Sequence, residues 1–407
     1  MTRRVRWSII AAAIVVASAA GALVVPAWTR ASGRADRRAR GETEVRISVP
    51  AGLSGTVYRA GDTLQEATRL ESARESMWLP EGRYFLEVPT PDGPPLFYAI
   101  SLRAGERGPD ADGSFAIAVR TTIPPPLVAD ASPPFVVVPA GQFELGDRRN
   151  PGESQHVWLP AYFIGAFEVT NADFRRFLND PGGYDDRANW TASGWAWKQR
   201  GTSRITARLD RRDPNYLRFG VDDLPVVLVT WYEARAYCRW LTRRHERDGW
   251  IFRLPSEAEW EKAARGPDTF DYGLGMTLSE PQASLYNWKK NPHVATTLVG
   301  FRATRERYAP NRYGVYHASG NAAEWTRTLS RPYNWHSPYR EDDRNDEEAS
   351  GLRVTRGGSW YSATTSRLGL MYREEFQPEL SSDDLGFRIV AVRLPVATAR
   401  SSPVVGQ

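Results

Sequence analysis

The chain carries a single cysteine, Cys238, and five histidines, His156, His245, His293, His317 and His336. Soft-metal redox chemistry calls for paired thiolates, because copper(I) and similar ions take sulfur donors in preference to oxygen. One cysteine cannot supply such a pair. Its place beside Ala234, Tyr237 and Leu241 on one face of a predicted helix marks it as a small core hydrophobe. None of the histidines falls in an HxH, HExxH or Cys/His arrangement of recognised ligand spacing, and convergence of His293, His317 and His336 is not indicated. Ser359 and Ser362 have nucleophilic hydroxyls but no identifiable base partner. The run Glu341-Asp342-Asp343-Arg344-Asn345-Asp346-Glu347-Glu348 has the oxygen donors of a cation site, although such runs are commonly solvated loops. Tyr333, Trp335, His336 and Tyr339 precede it and read as a partner-contacting edge.

The elements that must position these residues begin with an export pattern. Arg3, Arg4 and Arg6 precede an uncharged, Ala-, Ile- and Val-rich stretch from Trp7 to Thr29. Two fates stay open for residues 1–29. Ala17-Ser18-Ala19 offers a small-x-small cleavage site for a signal peptide. The apolar run through Val25, with Trp7 and Trp28 near its ends, is also long enough for an uncleaved hydrophobic helix, with residues 7–28 in the membrane. The expected location is therefore the cell membrane, single-pass with an extracytoplasmic (periplasmic) C-terminal part, or secretion if the signal is cut. With no Cys near this segment a lipoprotein anchor is excluded, and a lone Cys238 forms no disulfide within the chain. The net charge of +5 is local: eight Arg against Asp36 give residues 1–40 a charge of +7 and leave −2 for the remainder. A folded part without a basic surplus argues against nucleic-acid binding.

Residues 30–42 read as a charged linker. From 43 to 123, short alternating runs such as Val45, Ile47, Val49 and Tyr84, Leu86, Val88 are punctuated by Gly, Pro and Asp, which predicts a small antiparallel, sandwich-like β-domain. Leu79-Pro80-Glu81-Gly82-Arg83-Tyr84-Phe85-Leu86 resembles the turn and strand of PEGA-type domains, which are spacers or adhesion modules. A Pro-rich linker follows at 124–134, then a larger domain at 135–392 and a flexible tail at 393–407. Thr170, Thr230 and Ser256 each precede an acid by three residues, so each can cap a helix, and Glu233 and Glu259 can close capping boxes.

Six strings in the larger domain occur together in one order. They are Phe135–Gly146, Phe167-Glu168-Val169-Thr170-Asn171, Leu224-Pro225-Val226-Val227 leading to Trp231, Arg253–Glu261, Gly314-Val315-Tyr316 running to Gly320-Asn321-Ala322-Ala323-Glu324-Trp325, and Arg356-Gly357-Gly358-Ser359-Trp360 with Gly386-Phe387-Arg388. Their succession resembles the formylglycine-generating, or sulfatase-modifying factor, family. The resemblance implies an irregular α+β fold related to C-type lectins and rich in aromatics, which accounts for fifteen Trp. In such enzymes two cysteines shortly after the Arg-Gly-Gly-Ser block bind copper(I) and oxygen and convert a substrate cysteine to formylglycine. The matching positions here are Ser362 and Arg367, so neither copper nor formylglycine generation is expected. Family members also hold structural calcium. The matching residues are Asn287, Trp288, Asn291 and His293 for one site and Gly320, Ala322 and Glu324 for another, whose oxygens suit a hard cation. His317 stands where the family has Asp or Asn, and Asn291 replaces an Asp. The expectation is an extracytoplasmic, membrane-anchored binding or scaffolding protein for a protein, peptide or glycan partner, as in a membrane complex. The alternative is a divergent metal- or oxygen-dependent oxidoreductase on the same fold.

Overall fold

The computed structural model describes residues 33–49, 52–102 except 61–63, 71–73 and 91–92, 114–118, 135–278 except 148, 151, 267–270, 274 and 276, and 310–393 except 336–338 and 341–343. The expected membrane segment at 7–28 and the first calcium set, Asn287, Trp288, Asn291 and His293, lie outside these residues, as do residues 394–407 of the expected tail; Arg393 ends the last strand. None of the described helices is long and apolar enough to cross a membrane. The chain divides into two compact units, one of Met1–Pro89 with Ile100–Val119 and one of Thr90–Ala99 with Arg120–Gln407.

In the smaller unit, residues 33–39 form a short helix, α1, where the charged linker was expected. Its arginines find partners on neighbouring strands, which explains the order. Arg34 donates to Glu44 at 3.2 Å, and the Arg37 and Arg38 guanidiniums lie 5.7 and 5.8 Å from the Trp78 ring. Along the chain as far as residue 118, seven strands follow, not all of them wholly in this unit: β1 Thr43–Ser48, β2 Thr56–Ala60, β3 Leu64–Arg69, β4 Arg74–Leu79, β5 Gly82–Thr90, β6 Gly93–Leu102 and β7 Phe115–Ala118. They make two sheets, ordered β3-β2-β5-β6 and β4-β1-β7. The alternation in sequence is the alternation of faces: Val45, Ile47, Tyr84, Leu86 and Val88 all point into the core. One pairing departs from the antiparallel expectation, since β7 runs parallel to β1 with Val45 opposite Phe115. Such a pairing is set by a distant segment and leaves no local turn signal.

The larger unit is built from β8 Phe135–Val138, β9 Gly141–Gly146, β10 Ser154–Leu159, β11 Tyr162–Gly165, α2 Asn171–Asn179, α3 Ala192–Lys198, α4 Ile205–Arg208, α5 Trp231–His245, β12 Trp250–Arg253, α6 Glu257–Arg265, β13 Ala323–Leu329, β14 Arg353–Arg356, β15 Arg373–Phe376, β16 Leu385–Gly386 and β17 Val390–Arg393. Two four-stranded sheets, β12-β17-β11-β8 and β15-β14-β13-β16, and the β9–β10 hairpin carry it. All three capping residues accept a backbone N–H from the third helical residue, and all three close a box, including Thr170 with Asp173. Between α2 and α5 an aromatic core packs edge to face, with Phe177 5.5 Å from Tyr184 and 5.8 Å from Tyr237.

Candidate functional site

Helix α6 lies in the interior, and all nine of its residues are buried. Five of those residues are charged, so each needs a partner. Glu259 closes the cap and takes two guanidinium bonds from Arg253, both 2.6 Å. Lys262 donates to the Pro139 and Gly141 carbonyls at 2.6 and 2.9 Å, and burial depresses its ammonium to a pKa of about 7. Glu257 and Glu261, one turn apart, share a face. Glu257 accepts from Arg356, from Arg373 at 2.9 Å and from the Tyr333 hydroxyl at 2.7 Å. Glu261 accepts from Arg356, from Arg265 at 2.9 Å and from the Gly146 N–H at 2.9 Å. Sequence reading missed this ion cluster. Its local trace was the four-residue spacing of Glu257, Glu261 and Arg265, while Arg356 lies about a hundred residues away.

These ion pairs form the floor of a cavity of about 470 Å³, lined also by Leu145, Asp147, Glu153, Trp335, Met371 and Tyr372. The expected aromatic edge belongs here. Tyr333 stacks on Trp335 with centroids 4.5 Å apart and faces Tyr339 at 6.3 Å. His336 lies outside the described residues. In the acidic run, Glu347 pairs with Arg235 at 3.2 Å and Arg344 stacks 4.2 Å over Tyr333, so its described charges brace the protein.

Deeper still, Arg388 holds both oxygens of Glu324 at 2.6 Å, and the Trp260 indole donates to the same carboxylate at 2.7 Å. Arg388 also donates to the Gly165 and Tyr316 carbonyls. Beside it, Glu168 accepts from Asn321 at 2.7 Å and meets His317 Nδ1 at 3.1 Å, with both ionisable side chains fully buried. Burial alone would raise the Glu168 carboxyl; facing His317 and Arg388 overcome it and hold it below the ordinary carboxylate range. Of the Gly320, Ala322 and Glu324 set expected for calcium, the Glu324 carboxylate is already engaged by protein donors. A guanidinium and an indole use the Glu324 oxygens.

The two positions that match the family's cysteine pair are separated in kind. Ser362 is buried, and its Oγ accepts the Ser359 N–H at 3.0 Å. Ser359 in turn donates to Asp384 at 2.7 Å. Arg367 is half-exposed and pairs with Glu374 at 3.2 Å. A hydroxyl used by a turn and a surface guanidinium do not fit copper(I). Cys238 is buried on α5, where the lack of solvation pushes its thiol well above the ordinary range. Among the described residues, no three or more His, Cys, Asp or Glu are grouped to hold a metal ion.

Residues 122–393 match the family described as the sulfatase-modifying factor enzyme 1-like domain. The chain is 29% identical over 302 residues to the formylglycine-generating enzyme of Bos taurus, covering 65% of this chain and 76% of that protein. It is 32% identical over 343 residues to the hercynine oxygenase of Mycolicibacterium thermoresistibile, covering 76% and 68% respectively. It is also 29% identical over 287 residues to the inactive C-alpha-formylglycine-generating enzyme 2 of Bos taurus, covering 62% and 86%.

Proposed function

Since the chain belongs to the sulfatase-modifying factor enzyme 1-like family, we propose that it uses the family scaffold for binding rather than for formylglycine generation. The observation that carries this reading is the pair Ser362 and Arg367. One side chain is spent on a turn and the other on a surface ion pair, and Cys238, the chain's lone thiol, is sealed in the core. A relative named as inactive agrees with that reading. The export pattern of residues 1–29 supports an extracytoplasmic placement, tethered or secreted, with a protein, peptide or glycan as partner.

The 32% identity to a hercynine oxygenase favours one second reading, a divergent metal- or oxygen-dependent oxidoreductase. The two readings separate in one experiment on the full-length protein. It is loaded with copper(I) or iron(II), desalted, assayed for bound metal, and incubated with oxygen and a cysteine-containing peptide. The binding reading expects no stoichiometric metal, no oxygen uptake above the blank and an unchanged peptide mass. Stoichiometric copper or iron with peptide oxidation overturns it.

A further inference from the structure

The cavity above the α6 ion cluster includes Ser366 but neither Ser362 nor Arg367, so it is not the place where the family's thiols would stand. Its size suits a small ligand. Its walls are aromatic. Trp335 is backed by Tyr333 at 4.5 Å, and Tyr372 stands in the wall formed by the stretch leading into β15. Gly146 lets the indole in: a Cβ at this residue, whose φ is +96°, would meet Trp335 Cη2 at 2.7 Å. The floor is preorganised, because Tyr333, Arg356 and Arg373 all bond to Glu257, and Arg265 and Arg356 to Glu261.

Charge decides between ligand classes. Each acid of the lining has an arginine partner except Glu153, which forms no ion pair among the described residues; Asp147 is held by Arg149 at 3.0 Å. An anion would meet Asp147, Glu153 and the two floor glutamates. A cation would meet the Arg356 and Arg373 guanidiniums. A neutral polyhydroxyl ring meets neither penalty. Its C–H face packs on an indole, and its adjacent hydroxyls donate to the two oxygens of a rim carboxylate such as Glu153. From this arrangement we infer that the cavity binds the ring of a neutral sugar, the end of a glycan carried by the partner. The inference rests on the binding reading above, but sugar titration and peptide turnover are separate measurements, so either can fail while the other stands.

The test titrates the full-length protein with glucose, galactose, mannose and N-acetylglucosamine, followed by calorimetry and Trp fluorescence. N-acetylarginine amide and inorganic phosphate serve as charged comparators. At least one sugar is expected to saturate with a Kd of roughly millimolar order. Trp335→Ala should weaken it by about tenfold or more and Trp335→Phe by less, since a ring remains. Glu153→Gln, on an exposed rim position that leaves the fold intact, should weaken it severalfold. Saturation by none of the four sugars, tighter binding of either charged comparator, or sugar affinity unchanged in Glu153→Gln overturns the proposal.

Discussion

At the scale of single residues, the interior of the larger domain is unusual for the charges it has taken in. The Glu324–Arg388 pair is fully buried and its hydrogen bonds are short. Removing one partner strands a charge without solvent, so Glu324→Gln should cost about 3–5 kcal/mol in urea unfolding. Adding Arg388→Met to Glu324→Gln should cost less than the two single losses combined, because neither charge is then left alone; full additivity would show that the pair is not coupled. Lys262 makes a prediction of opposite character. Its folded pKa of about 7 lies below the ordinary 10.5, so between those values the unfolded chain binds a proton that the folded chain does not. Stability therefore rises with pH across that window, by up to about 1.4 kcal/mol per pH unit from this group. Compared at about pH 7 and about pH 9.5, the natural protein should gain stability relative to Lys262→Met; parallel profiles would rule out a depressed lysine. That a lone Cys238 cannot supply a thiol pair was legible from the sequence because it needs only a count. The engagement of Glu324 was not, since its partner is 64 residues away and only the fold brings them together.

At the scale of elements, what could be read was what is local. The helix starts at Thr170, Thr230 and Ser256 depend on a side chain and a backbone N–H three residues apart, and the structure places all three caps. The short Asp173 side chain also reaches back to the Thr170 backbone, a closure expected only where the third residue was Glu. The parallel pairings β1 with β7 and β13 with β16 join segments with no turn between them, and no local pattern announces them. The cap of α5 does more than start a helix. Glu233 accepts from Thr230 with one oxygen and from the Tyr184 hydroxyl and Ser203 with the other, at 2.8 and 2.6 Å. Thr230→Ala should thus cost about 1–2 kcal/mol, at the upper end for a cap, while Thr230→Ser should recover most of it. Equal losses for Ala and Ser, measured by urea unfolding, would place the effect in the lost methyl instead.

At the scale of the whole molecule, the chain comprises two units with no disulfide in either, because it has one cysteine. Each unit has its own core: Val45, Ile47, Leu86 and Val88 in one, and the clusters around α5 and α6 in the other. Separate cores predict separate cooperativity. Composition supplies the probes to test it. All Trp except Trp7, Trp28 and Trp78 lie beyond residue 135, so indole fluorescence follows the larger unit, whereas far-ultraviolet dichroism sums strands from both. Urea unfolding of the natural protein should give transitions that do not coincide between the two probes. Glu324→Gln should move the fluorescence transition to lower urea and leave the remaining dichroism step in place, because Glu324 belongs to one core alone. Coincident curves that shift together in the variant would mean that the two units unfold as one, and the smaller domain would then be structurally dependent on the larger rather than a module beside it.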